Sequence, residues 1–235
     1  MRRAVAVLVA AVAGAVPPRG AEAQATGMPS YNAPYRAFQR SELGGVFSFP
    51  DGGGTAFEGV YRYASGKFDI GLRGGFFDPG SGFKTVVLAG VEARQRVITH
   101  TVDFPLDGAL MVGAGANLVS GGSALIIPAG LSLGRRIDPQ GSTVSIVPYV
   151  QPTFAFIVGD FPSDLVFGFG VGADFRLSRV LDARVSGGLG DRPLTGVSIG
   201  AVWVHSPEAG YGGLWRLGEV GGGFLRAATT SPNLL

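Results

Sequence analysis

The feature that most constrains this chain is an alternation of apolar and small residues that recurs from about residue 43 to residue 205. It is clearest over residues 165–176, where every second residue from Leu165 is apolar and the intervening residues are mainly glycine, followed by Asp174 and Arg176. Because side chains on a strand point alternately to opposite faces, one face is apolar and the other is small or charged. In lipid, only helices and closed barrels satisfy the hydrogen bonds of every backbone group. A barrel in lipid has apolar side chains on its outer face and small or polar ones on its inner face, which is the alternation seen here.

Ten such stretches follow one another, separated by short turns rich in Gly, Asp, Pro and Ser. They lie at about residues 42–49, 55–64, 67–77, 83–97, 106–119, 124–136, 142–158, 164–177, 180–190 and 194–204. No gap between them could hold a crossover helix, which excludes a parallel α/β fold. The sequence therefore predicts an all-β fold: an up-and-down antiparallel transmembrane β-barrel of about ten strands, within a range of 8–12, over residues 42–205.

The N-terminus has the form of a secretory signal peptide. Two arginines precede an apolar run over residues 4–16, which is shorter than the roughly 20 residues of a spanning helix. Two small-x-small motifs follow, ending at Ala23 and at Ala25, and we expect cleavage after Ala25. Residues 1–25 are therefore predicted to be removed on export.

Two segments flank the predicted barrel. Residues 26–41 are a polar N-terminal leader, which either extends into the periplasm or is tucked into the barrel. Residues 206–235 are a Gly-rich C-terminal tail of uncertain structure. The tail is open to three interpretations: a periplasmic extension, an extra pair of strands, or a reading-frame artefact.

Charged side chains on the predicted inner faces come in matched signs, two or four residues apart on the same strand. They are Glu58, Arg62, Asp69, Arg73, Glu92, Arg94, Asp174, Arg176, Asp182 and Arg184. Because buried charges are costly without partners, this pattern predicts an ion-pair network in the lumen. About ten strands enclose far less space than a 16–18-stranded porin, so we expect a largely occluded lumen.

Glycines dominate the remaining inward positions. Gly113, Gly115, Gly168, Gly170 and Gly172 carry no side chain, and we expect them to enlarge a narrow lumen or to let strands bend. On this interpretation Gly170→Ser costs little stability.

Aromatic residues cluster toward the ends of the predicted strands, as in the two interfacial girdles of a lipid-embedded barrel. The predicted girdle residues are Phe49, Phe57, Tyr61, Tyr63, Phe76, Phe83, Phe154, Phe167, Phe175 and Trp203.

The signal peptide, the Gly-rich alternating strands and the stretch from Thr195 to Trp203 resemble small bacterial outer-membrane β-barrels of the OmpA/OmpX-like type. In such barrels the last strand ends on an aromatic residue that the assembly machinery reads, and Trp203 stands at that position. The resemblance implies location in the cell outer membrane, with outer-membrane lipid and the barrel-assembly machinery as partners, and a monomer. The tail beyond residue 205 departs from the pattern, because barrels of this type commonly stop at the aromatic residue.

Other functions find little support in the sequence. Beyond residue 25, basic and acidic residues are equal in number, so the chain has no electrostatic footprint for nucleic acid. The chain has no cysteine, which excludes thiolate chemistry. Its only histidines, His100 and His205, each follow a strand end, and His100 beside Asp103 is the nearest approach to a nucleophile–base pair.

The sequence therefore predicts a non-enzymatic outer-membrane barrel with a structural or narrow-pore role, and neither a cofactor nor a metal site. Two alternatives stay open: an outer-membrane lipid-modifying barrel enzyme, and a secreted soluble Gly-rich β-protein.

Overall fold

A computed structural model describes residues 25–34, 40–80, 82–142, 144–160, 163–192 and 194–205. Within these residues no helix is long and apolar enough to cross a membrane. The predicted signal peptide, apart from Ala25, and the tail over residues 206–235 lie outside the described residues.

Ten antiparallel strands make up the fold. They are β1 (Ser41–Pro50), β2 (Thr55–Ser65), β3 (Phe68–Asp78), β4 (Val86–Ile98), β5 (Asp107–Val119), β6 (Gly122–Gly134), β7 (Ser145–Gly159), β8 (Asp164–Arg176), β9 (Leu181–Gly190) and β10 (Gly196–His205). Each strand pairs with its neighbours in sequence, and β10 pairs with β1 to close the ring. The prediction of an all-β, ten-stranded up-and-down barrel is confirmed.

The closing pair leaves the wall without a free edge. β1 and β10 pair over their full lengths, from Ser41 opposite His205 to Pro50 opposite Gly196. We call the end that holds Ser41 and His205 the lower rim, and the end that holds Pro50 and Gly196 the upper rim. The ten described strands thus form a closed ring.

Tight turns keep neighbouring strands in register. Gly66 and Lys67 alone connect β2 to β3, and Gly66 has a φ of 63°. Glycine adopts this left-handed conformation without the steric cost that a side chain would add, so the chain reverses in two residues.

The inside and outside of the barrel alternate along the strands as the sequence pattern predicts. In β3 the odd-numbered positions Asp69 and Arg73 are buried, whereas Ile70, Leu72 and Phe76 are exposed on the outer surface. The same alternation holds in β10, where Val202 is buried and Trp203 is exposed. The charged side chains of β3 and their counterparts on other strands therefore face inward, and most of the large apolar side chains face outward, although a few, such as Leu88, Met111 and Ile126, are buried.

Candidate functional site

The interior of the barrel is filled by its own N-terminal chain. We call residues 25–34 the lumen segment. All ten of its residues are buried, and Ala25 and Thr26 are completely so. The sequence left two possibilities open for the N-terminal leader: extension into the periplasm, or a place inside the barrel. Residues 26–34 of the leader lie inside the barrel.

Hydrogen bonds fix the upper half of the lumen segment. Thr26 Oγ1 donates to Glu58 Oε1 on β2 at 2.6 Å. Arg73 on β3 donates from Nη2 to Ser30 Oγ at 2.8 Å, and from Nη1 to the Ser30 carbonyl at 3.3 Å. The two strands that hold this part of the segment are neighbours in the wall.

The opposite wall binds the middle of the segment at Tyr31. The Tyr31 amide donates to Ser186 Oγ on β9 at 3.0 Å, and its carbonyl accepts from Tyr149 Oη on β7 at 2.8 Å. The Tyr31 side chain is only 2% exposed and packs with Tyr149, Val147 and Leu194.

Backbone carbonyls anchor the lower half. The Asn32 carbonyl accepts from Ser132 Oγ at 2.8 Å, and the Ala33 carbonyl accepts from Arg94 Nη1 at 3.1 Å. Arg184 Nη1 donates to Asn32 Oδ1 at 3.3 Å. Residues on six strands thus bind one short peptide, so the peptide spans the lumen rather than lying against one wall.

The inward-facing glycines make room for the lumen segment. A Cβ atom on Gly170 would overlap the Tyr31 ring, and one on Gly115 would overlap the Ala25 backbone. A Cβ on Gly172 would meet the Tyr149 phenol. At Gly115 and Gly170 the expectation that these glycines enlarge a narrow lumen is therefore wrong, because residues of the lumen segment occupy the space. The overlap at Gly170 also contradicts the small cost predicted for Gly170→Ser.

Arg62 is the centre of the ion-pair network. Its guanidinium contacts Asp69 at 2.6 Å, Glu42 at 3.3 Å and Glu92, so three strands besides its own place a carboxylate against it. Arg94 also reaches Asp69, at 3.2 Å. A planar guanidinium with five donors suits such a site, because it satisfies several carboxylates at once.

Two further clusters extend the network around the wall. Arg73 binds Glu58 at 2.7 Å in the upper half of the barrel. Arg184 binds Glu42 at 2.7 Å and Asp174 at 3.2 Å on the opposite side.

All ten lumen charges that the sequence singles out face the interior. Nine are buried, and Arg176, whose side chain is 21% exposed, lies 4.0 Å from Asp182 near the lower rim. The partners lie on other strands rather than on the same strand. Some are on the neighbouring strand, because the register places Arg94 opposite Asp69 and Arg184 opposite Asp174, and others are two strands away, as in the pairs Arg62–Glu92 and Arg184–Glu42. Glu42 was absent from the predicted set, although it shares its face with Gly44, Val46 and Ser48 in the alternation of β1.

The predicted girdle residues lie toward both rims. Phe49, Phe57, Phe76, Phe83, Phe154 and Phe167 are in the upper half, and Tyr61, Tyr63, Phe175 and Trp203 are in the lower half. Ring contacts join Phe57 to Phe76 with centroids 6.0 Å apart, and Phe154 to Phe167 at 4.9 Å.

Near the lower rim, His100 pairs with a residue that the sequence did not suggest. Its Nδ1 lies 3.0 Å from Asp107 Oδ2, and its backbone amide donates to Asp107 Oδ1 at 3.1 Å, so its partner is not Asp103. Among the described residues, no group of three or more His, Asp or Glu side chains could hold a metal ion.

No protein-family model matches this chain, and no curated protein matches it at a significant level.

Proposed function

We propose that this protein is a small outer-membrane β-barrel of the OmpA/OmpX-like type, with an occluded lumen and a structural rather than enzymatic role. On this proposal a signal peptide ending at Ala25 exports the chain. The observation that carries the proposal is the pairing of an apolar outer wall with an interior filled by ion pairs and by the chain's own residues 25–34.

The outer wall supports a lipid environment. Large apolar side chains are exposed all around the ring; they include Leu72 at 52%, Val112 at 49%, Phe154 at 51%, Val185 at 40% and Ile199 at 55%. Monomeric soluble proteins rarely expose contiguous apolar patches above a few hundred Å². Lipid removes this cost, and every strand of the closed ring pairs with a neighbour on both sides, as a wall in hydrocarbon requires.

The filled interior favours a structural role over a pore. Ions would have to displace the lumen segment from hydrogen bonds to Glu58, Ser132, Tyr149 and Ser186 before they could pass. Each bond contributes about 0.5–1.5 kcal/mol, more where a partner is charged, so together they oppose spontaneous opening.

The expected partners follow from the same surface. Outer-membrane lipid covers the apolar wall, and the barrel-assembly machinery reads the last strand, which carries the exposed Trp203. A closed ring offers no strand edge to another chain, which favours a monomer.

Extraction and gel migration test this proposal. The mature protein should fractionate with the outer membrane, require detergent, and migrate at different positions before and after boiling. A monodisperse monomer in detergent-free buffer would contradict it and favour the secreted soluble alternative. Turnover of outer-membrane lipid that depends on His100 would favour the enzyme.

A further inference from the structure

We infer that the new α-ammonium group, exposed when the signal peptide is cleaved after Ala25, binds the Glu58 carboxylate inside the barrel. Cleavage of the signal peptide then adds one cation, the α-ammonium group of Thr26, to the ion-pair network and holds the start of the lumen segment in place. This inference rests on the proposed export and cleavage, but it concerns a different property from occlusion.

Position is the first support. Thr26 is fully buried, and its hydroxyl already donates to Glu58 Oε1 at 2.6 Å. The nitrogen and the hydroxyl oxygen of one threonine are separated by only three bonds, roughly 3 Å. The ammonium group of a cleaved Thr26 therefore starts within about 6 Å of the same carboxylate, a distance at which opposite charges attract.

The balance of buried charge is the second support. The buried carboxylates among the described residues are Glu42, Glu58, Asp69, Glu92, Asp107, Asp174 and Asp182, whereas the buried arginines are Arg62, Arg73, Arg94 and Arg184. The partly exposed charges of the described residues, Arg40, Arg96, Arg136, Arg176 and Asp191, lie outside this fully buried set. Because buried charge is costly without a partner, the fully buried set, in which carboxylates outnumber arginines, favours a further buried cation.

The space beside Thr26 is the third support. Ala25 packs against Gly90, Gly113 and Gly115. A Cβ atom on any of these three glycines would make a close contact with Ala25. Removal of Ala25 leaves these three glycines beside the new terminus, so no side chain of the wall stands in the position that Ala25 occupied.

Amine labelling tests the inference directly, because the chain contains only two lysines, Lys67 and Lys84, both exposed. The exported protein in detergent is treated with an acetylating reagent at pH 7, and the three amines are followed by peptide mass spectrometry. An ordinary α-amine reacts faster than lysine at this pH, since its pKa is about 7.7–8.0 against about 10.4. We expect the reverse: the Thr26 amine should react at least tenfold more slowly than Lys84 in the folded barrel, and faster after denaturation.

A matched pair of variants separates the ion pair from simple burial. Glu58→Gln should raise the labelling rate of the Thr26 amine at least fivefold. Asp107→Asn removes an equally buried carboxylate that binds His100 instead, and should leave that rate unchanged. Equal effects of the two variants would overturn the inference, as would a folded protein that begins at a residue other than Thr26 or an α-amine that labels faster than Lys84.

Should Glu58→Gln fail to fold, acetylation of the wild-type terminus supplies the test. The denatured chain is acetylated selectively at Thr26 and refolded, and its thermal gel-shift midpoint is compared with that of the untreated chain. A lower midpoint is expected, and an unchanged one would overturn the inference. The gel shift also shows that the barrel is folded, so the labelling result stands whether or not the barrel proves to conduct.

Discussion

At the scale of single residues, the interior glycines acquire a role through a distant part of the chain. Gly170 and Gly172 lie on β8, more than a hundred residues from Tyr31, yet the Tyr31 ring occupies the space that a Cβ on Gly170 would need. Small residues on an inner face therefore indicate where something fits, and they do not by themselves indicate an empty lumen.

Gly170→Ala should destabilise the barrel by about 1–3 kcal/mol, the usual cost of overpacking a filled interior. Gly59→Ala is the matched control, since a Cβ at Gly59 meets nothing closer than 3.7 Å. The denaturant midpoint of the folded gel band reports both. Adding Tyr31→Ala to Gly170→Ala should recover part of the loss, and equal effects of the two glycine changes would contradict the seating of Tyr31.

A second residue-scale prediction concerns the outer wall. Ile199 is 55% exposed on β10. If the wall faces lipid, as proposed, Ile199→Arg places a charge in the hydrocarbon and should lower the free energy of unfolding by about 2–4 kcal/mol. Val102→Arg, in a fully exposed loop, is the control and should change stability little. A cost at position 102 as large as that at position 199 would argue against a lipid-facing wall.

At the scale of the elements, strand positions and faces could be predicted because they depend on a period of two within one strand. The partners of each charge could not, because they depend on the register between strands. Glu58 and Arg62 share a strand, but the structure pairs Glu58 with Arg73 and Arg62 with Asp69.

The contacts of the lumen segment could not be predicted from the sequence. Residues 25–34 have no periodicity, contain Pro29 and Pro34, and form neither helix nor strand. Their place is specified by hydrogen bonds to residues as distant as Ser186, which no local pattern reports. The compositional signal was the excess of inward glycine, which leaves room for such a segment.

Arg62→Met tests the network at this scale. The change leaves Glu42, Asp69 and Glu92 close together without their shared cation, and should cost about 3–5 kcal/mol. Arg136→Met breaks only the exposed pair with Asp138 and should cost at most about 1 kcal/mol. Comparable losses from the two variants, measured as unfolding midpoints, would show that Arg62 does not hold the network together.

At the scale of the whole molecule, the barrel combines a wall suited to lipid with an interior that its own N-terminal residues fill. Residues 25–34 precede β1 in the chain, and strands from β2 to β9 make their polar contacts. The lumen segment is therefore held by strands that follow it in the sequence. On the proposed function, occlusion of the lumen therefore depends on the lumen segment and the wall together.

Conductance across a planar lipid bilayer tests this closure most directly. The comparison is between the wild type and a variant whose residues 26–34 are replaced by a Gly-Ser stretch of equal length, each first shown to be folded by its gel shift. The account predicts a silent wild type, and ion-conducting steps from the variant because its lumen loses the Tyr31 side chain and the side-chain contacts of Ser30 and Asn32. Large, steady wild-type conductance, equal to that of the variant, would contradict it.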